Sequence, residues 1–127
     1  MKFYKHNQGF TIIELMVVIG IVAVLSAIAL PAYVGYIDTA CISTAQSNAQ
    51  TLRAFEENYL IENSTYLLGT HSAGDTTNTL ITGLHWKPDD DGRYTYTVSA
   101  GSTGDATTSL NIVVSSANCS RNVTEGN

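Results

Sequence analysis

Few side chains in this sequence stand where chemistry could be done with them, and the first is Glu14. It is the one charge in the 21 residues from Phe10 to Leu30. A bare carboxylate in an apolar helix of that kind costs roughly 2.5–3.5 kcal/mol even on lenient insertion scales, so it needs a partner. No Lys, Arg or His occurs between Phe10 and Pro31. A cut after Gly9 would create a cation, the α-amino group of Phe10, with a pKa near ~7.7. The amine of the same chain is a poor partner, because both groups would sit on one short helical end. The amine of a neighbouring copy is a better one. Glu14 therefore reads as a charge waiting for another subunit.

The other reactive residue types are sparse. Two cysteines, Cys41 and Cys119, in a domain carried across a membrane favour a disulfide, since that side is oxidising. Such a bond would staple the C-terminal segment to a helix and contribute roughly 4–5 kcal/mol in the chain-entropy model. Two free buried thiols are the alternative. Asp89, Asp90 and Asp91 before Gly92 invite a calcium assignment. A calcium site needs six to eight oxygens spread in space, and three adjacent acids fit a polar turn better. His6, His71 and His85 are scattered without ligand spacing, so no metal site is expected. No nucleophile–base set or phosphate-cradling loop is present, and neither catalysis nor a cofactor is expected. Lys87, Arg93 and Arg121 beside Trp86 and Tyr94 could form a nucleic-acid patch. Asn63, Asn118 and Asn122 each begin a glycosylation sequon, a weak signal by itself.

The elements that must position these residues follow from the hydropathy pattern. Phe10–Leu30 is apolar on all sides, and as a helix it spans ~31 Å, the thickness of a bilayer core. It has no face to show to water and must sit in lipid or be buried by other chains. Met1–Gly9 carries Lys2, Lys5 and His6, a positive flank that stays cytoplasmic. A secretory signal cut at Ala27-Ile28-Ala29 is one alternative and an uncut signal anchor another. The apolar run is longer than a usual signal core and contains an acid, which weighs against the first. Without residues 1–9 the chain keeps four basic residues (Arg53, Lys87, Arg93, Arg121) against eleven acids, a net of −7. Such a surface repels nucleic acid over most of its area.

Pro31 lies inside the helical pattern and predicts a kink there, with Gly20 and Gly35 as further loose points. Asp38–Glu62 continues as an amphipathic helix with Cys41, Ala45, Leu52 and Tyr59 along one face, flanked by Ile42, Ala49 and Phe55. Glu56 falls near the edge of that stripe. Asn63-Ser64-Thr65 ends the helix. Tyr66–Gly92 has no strong period and reads as a long loop, with Leu80–Trp86 as a short strand. Arg93–Ser99 and Thr107–Ser115 alternate and predict an antiparallel hairpin around the turn residues Ala100–Asp105. A strand or tail with Ala117 and Cys119 follows. The expected fold class is α+β: one long N-terminal helix packed on a small antiparallel sheet.

The run Gly9-Phe10-Thr11-Ile12-Ile13-Glu14, the apolar stretch behind it, Pro31 and the Tyr33/Tyr36 pair resemble the N-terminus of a bacterial type IV pilin. The resemblance covers about residues 1–40 and is only architectural beyond. It implies a leader, residues 1–9, removed by a prepilin peptidase between Gly9 and Phe10, with N-methylation of Phe10. It implies a transmembrane and filament-core half-helix over 10–37 and a globular head over 38–127. It implies that Glu14 pairs with the Phe10 amine of an adjacent subunit during assembly. The partners so implied are further copies in a helical filament, other pilins, the peptidase, the inner-membrane assembly machinery, and lipid before assembly. The chain would span the inner membrane once and then enter an extracellular pilus serving adhesion, twitching motility or DNA uptake. Ala23 stands where many pilins have glycine, and Ala23–Pro31 is where unwinding in a filament is expected. Many pilins keep both cysteines near the C-terminus; here the first lies on the helix, so no adhesive loop is carried over. A pseudopilin of type II secretion, or a minor pilin acting in DNA binding or tip adhesion, are the alternatives. Pro31-Ala32-Tyr33 with Tyr36 leans toward pili.

Overall fold

The computed structural model describes residues 9–126. The rest of the expected leader, with Lys2, Lys5 and His6, lies outside the described residues. The chain forms two compact units, Met1–Tyr36 and Ile37–Asn127. Helix α1 (Ile12–Asn63) contributes to both, and each part is described with its own unit.

In the first unit every large apolar side chain from Phe10 to Tyr36 is more than half exposed. The helix there is long and apolar enough to cross a membrane, by length and composition. Its residues are good or tolerable helix formers without a polar face. The backbone continues as helix through Ala23–Pro31, although Pro31 has no amide proton to donate.

In the second unit α1 buries Cys41, Ala45, Asn48, Ala49, Leu52 and Glu56, at helical spacing. Ala45 and Ala49 are fully covered and belong to the apolar core with the sheet residues. The stripe differs from the expected one at its C-terminal end. Glu56 is fully buried, whereas Phe55 stays 37% exposed. A step of four from Leu52 keeps to the packed face, and a step of three leaves it.

Against this face lies a sheet of β1 (Gly69–His71), β2 (Thr95–Ala100), β3 (Leu110–Ser115) and β4 (Val123–Gly126). The strand order is β1-β2-β3-β4 and every pairing is antiparallel. Tyr96 pairs with Val114 and Val98 with Ile112, which sets the buried residues of the hairpin in facing rows. The fold is α+β, as the alternation in the sequence indicates.

Two expectations for residues 66–92 are corrected. The stretch read as a long loop holds the edge strand β1. Leu80–Trp86 is not a strand: Thr79–Leu84 forms a short helix, α2. Asn78 caps it, its Oδ1 accepting the Ile81 amide at 3.1 Å. Leu80 and Leu84, four apart, fall on one buried face, and His85 ends the helix in the left-handed region at φ 55°. The last strand is Val123–Gly126, while Ala117 and Cys119 belong to the turns before it.

Cys41 and Cys119 are disulfide-bonded, 78 residues apart in sequence with Cα atoms 5.5 Å apart. A second tie lies beside this bond. Asp38 accepts from the Ser120 amide at 2.6 Å and from its hydroxyl at 2.7 Å. These two donors hold the Asp38 carboxyl below its ordinary range. The Tyr94 hydroxyl also donates to the Cys41 carbonyl at 3.2 Å. Replacing both cysteines by serine is expected to cost the head about 2–5 kcal/mol. Urea unfolding of the full chain in detergent, followed by Trp86 fluorescence, measures the loss.

Candidate functional site

The expected assembly site begins at the N-terminal edge of α1. Gly9, Phe10 and Thr11 are non-helical and exposed, with Phe10 92% accessible. The Gly9–Phe10 peptide bond therefore lies on open backbone before the helix starts.

Thr11 is the residue just before that helix, and Glu14 is the acid of its first turn. The Glu14 amide donates to the Thr11 hydroxyl oxygen at 3.2 Å. In return, Glu14 Oε2 accepts from the Thr11 amide and hydroxyl, each at 2.9 Å. The Leu15 amide closes the turn onto the Thr11 carbonyl at 3.3 Å. This reciprocal arrangement is a capping box, and the acid also meets the positive end of the helix dipole. Sequence reasoning missed it, although Thr-x-x-Glu ahead of an apolar run is its signature. Glu14 thus has neutral donors within its own chain. Among the described residues no Lys, Arg or His side chain pairs with it.

The other candidates resolve into structural roles. Asp90 accepts from the Tyr96 hydroxyl at 2.6 Å and from the Gly92 amide at 2.7 Å. Asp91 pairs with Arg93 at 2.7 Å. Asp90 and Asp91 are therefore drawn to different partners, and Gly92 takes the turn at φ 71°. No group of three His, Cys, Asp or Glu residues that could hold a metal occurs among the described residues. Burial and the Asp90 carboxylate push the Tyr96 hydroxyl well above the ordinary phenol range, so it stays protonated. Asn48 donates to the same hydroxyl oxygen at 3.0 Å, which ties helix, sheet and turn together.

His71 is a core residue, 2.6 Å from the Asn78 amide nitrogen and in edge contact with the Trp86 ring. Trp86 and Tyr94 are themselves buried at 1% and 5% exposure. The basic patch loses the aromatic surface on which bases would stack. Arg93 is moreover engaged by Asp91.

Residues 4–30 match the family described as the prokaryotic N-terminal methylation motif. The chain is 39% identical over 64% of its length to a fimbrial protein of Neisseria meningitidis, covering 48% of that protein. It is 31% identical over 78% of its length to the type IV major pilin protein PilA of Myxococcus xanthus, covering 40% of it. It is 61% identical over 29% of its length to prepilin peptidase-dependent protein D of Escherichia coli, covering 25% of that protein. The chain spans about half or less of the length of these curated relatives. Motif and relatives both support the resemblance to type IV pilins. Replacing Thr11 by alanine is expected to cost the helix start about 1 kcal/mol. Faster hydrogen exchange at the Glu14 and Leu15 amides of the full chain in micelles reads that loss.

Proposed function

We propose that this chain is a structural subunit of a type IV pilus. The observation that carries the reading is a half-helix with every large apolar side chain exposed, headed by one acid and lying within an N-terminal methylation motif. Relatives named as fimbrial protein and major pilin favour a pilus over a secretion pseudopilus. On this reading the precursor waits in the inner membrane with its head outside the cytoplasm. A prepilin peptidase cuts between Gly9 and Phe10, and Phe10 is N-methylated. Helices of many copies then bundle, and each apolar run exchanges lipid for other apolar runs. The two environments are similar for it, so a subunit can pass between them. The inner-membrane assembly machinery supplies the work. The subunit acts without cofactor or catalysis.

Glu14 sets the register of each incoming copy by meeting its Phe10 amine. The capping box supports this role, because it holds the carboxylate at the helix start before a partner arrives. It leaves the cost of an unpaired charge only partly offset, and the amine removes the rest. Pro31, with Ala23–Pro31, is the segment proposed to bend or unwind inside the filament.

Two substitutions separate charge from capping. Glu14→Gln keeps an acceptor for Thr11 and removes the charge; Glu14→Ala removes both. Both variants should leave processed subunits in the membrane and give few filaments, counted by electron microscopy and immunoblot of sheared pili. Normal piliation with Gln and a defect only with Ala would assign Glu14 to capping alone and defeat the pairing.

A further inference from the structure

Glu56 is a fully buried acid that the assembly role does not use. Its Oε2 accepts from the Leu67 amide at 2.8 Å. Its Oε1 is buried without a hydrogen-bond partner. The loop it holds begins where α1 ends. Ser64 turns the chain in the left-handed region at φ 58°, its amide bonded to the Leu60 carbonyl at 2.8 Å. The Tyr66 amide then donates to the Ala106 carbonyl at 2.8 Å, and the Leu67 side chain lies over Gly83 of α2. Residues 64–67 therefore lie between helix, hairpin turn and α2, and Glu56 is their tie to the helix.

We propose that Glu56 is a buried acid clasp, closed while the carboxyl is uncharged and opened when it ionises. The surroundings supply no countercharge. On its own helix Arg53 pairs with Glu57 at 3.7 Å, and Glu57 accepts from the Tyr66 hydroxyl at 3.4 Å. Tyr59 lies one turn on, and its ring packs against the core. α2 and β3 carry no titratable side chain. His71 of β1 is bonded to Asn78, and Tyr96 of β2 to Asp90 and Asn48. An ionised Glu56 would accept the Leu67 amide more strongly, but Oε1 would remain unsolvated and the whole charge would sit in the core. Desolvation outweighs that one hydrogen bond and pushes the carboxyl up to about 7. The cheapest relief is entry of water under residues 64–67, where Ser64 is exposed and Thr65 and Leu67 are half-buried.

The direction follows from proton linkage. The folded state binds the proton more tightly than the unfolded chain, whose carboxyl titrates at its ordinary 4.5. The stabilising proton is fully present below that value and is lost as pH rises to about 7. Over the whole titration, from well below 4.5 to well above 7, the folding equilibrium constant should fall by about 300-fold, the factor equivalent to the shift.

The test uses the full chain in detergent micelles. Unfolding midpoints and exchange protection at the Leu67 amide are measured from pH 4.5 to 8, for the wild type and for Glu56→Gln. The wild type should lose stability and Leu67 protection relative to the variant as pH rises. Parallel profiles would overturn the proposal. Should the variant fail to fold, carbon-detected titration of the Glu56 carboxyl in the wild type decides alone. A midpoint near neutrality supports the clasp, and one near 4.5 overturns it.

Discussion

An apolar helix with no polar face cannot remain as it stands in water, and the rest of the molecule is arranged around that constraint. From Phe10 to Tyr36 the large side chains are all exposed. Each Val, Leu or Ile so placed forgoes about 1.5–3 kcal/mol that burial would give. Among the described residues nothing covers them. Lipid and further copies of the same helix are the two environments that could. Glu14 matters because it is the one group on which those environments differ. Within its own chain the charge has the Thr11 donors and the helix dipole; under the proposed pairing a neighbouring copy would add a full cation.

The second unit answers a different problem. Its core is small, and much of it is held by specific ties as well as by apolar area. The Cys41–Cys119 bond and the Asp38–Ser120 pair anchor the segment before β4 to the helix. The hydroxyl of Tyr96 joins Asn48 on the helix to Asp90 in the preceding turn. Ala45 and Ala49 are buried on the same helix face as Asn48. In that turn Tyr96 and the Gly92 amide hold Asp90, and Arg93 holds Asp91.

Much of this was legible in the residues. The apolar run, the amphipathic continuation and the hairpin follow from periods of 3.6 and 2, which propensity and burial reinforce together. The failures lie where a short local signal competed with a weak period. Leu80–Trp86 reads as a strand because it is brief and partly apolar, yet the Asn78 cap and the Leu80/Leu84 spacing decide for helix. Helical spacing puts Glu56 near the edge of the stripe, yet it is fully buried and its carboxylate accepts the Leu67 amide. Glu14 reads as a charge without a partner when only cations are counted, whereas Thr11, three residues before it, is a neutral donor.

The pairing account requires that a new amine exist at Phe10. Mass spectrometry with N-terminal sequencing of subunits recovered from sheared filaments tests this most directly. The account predicts a chain that begins at Phe10 and carries one N-methyl group. A chain that begins at Met1, or at any residue other than Phe10, would contradict it.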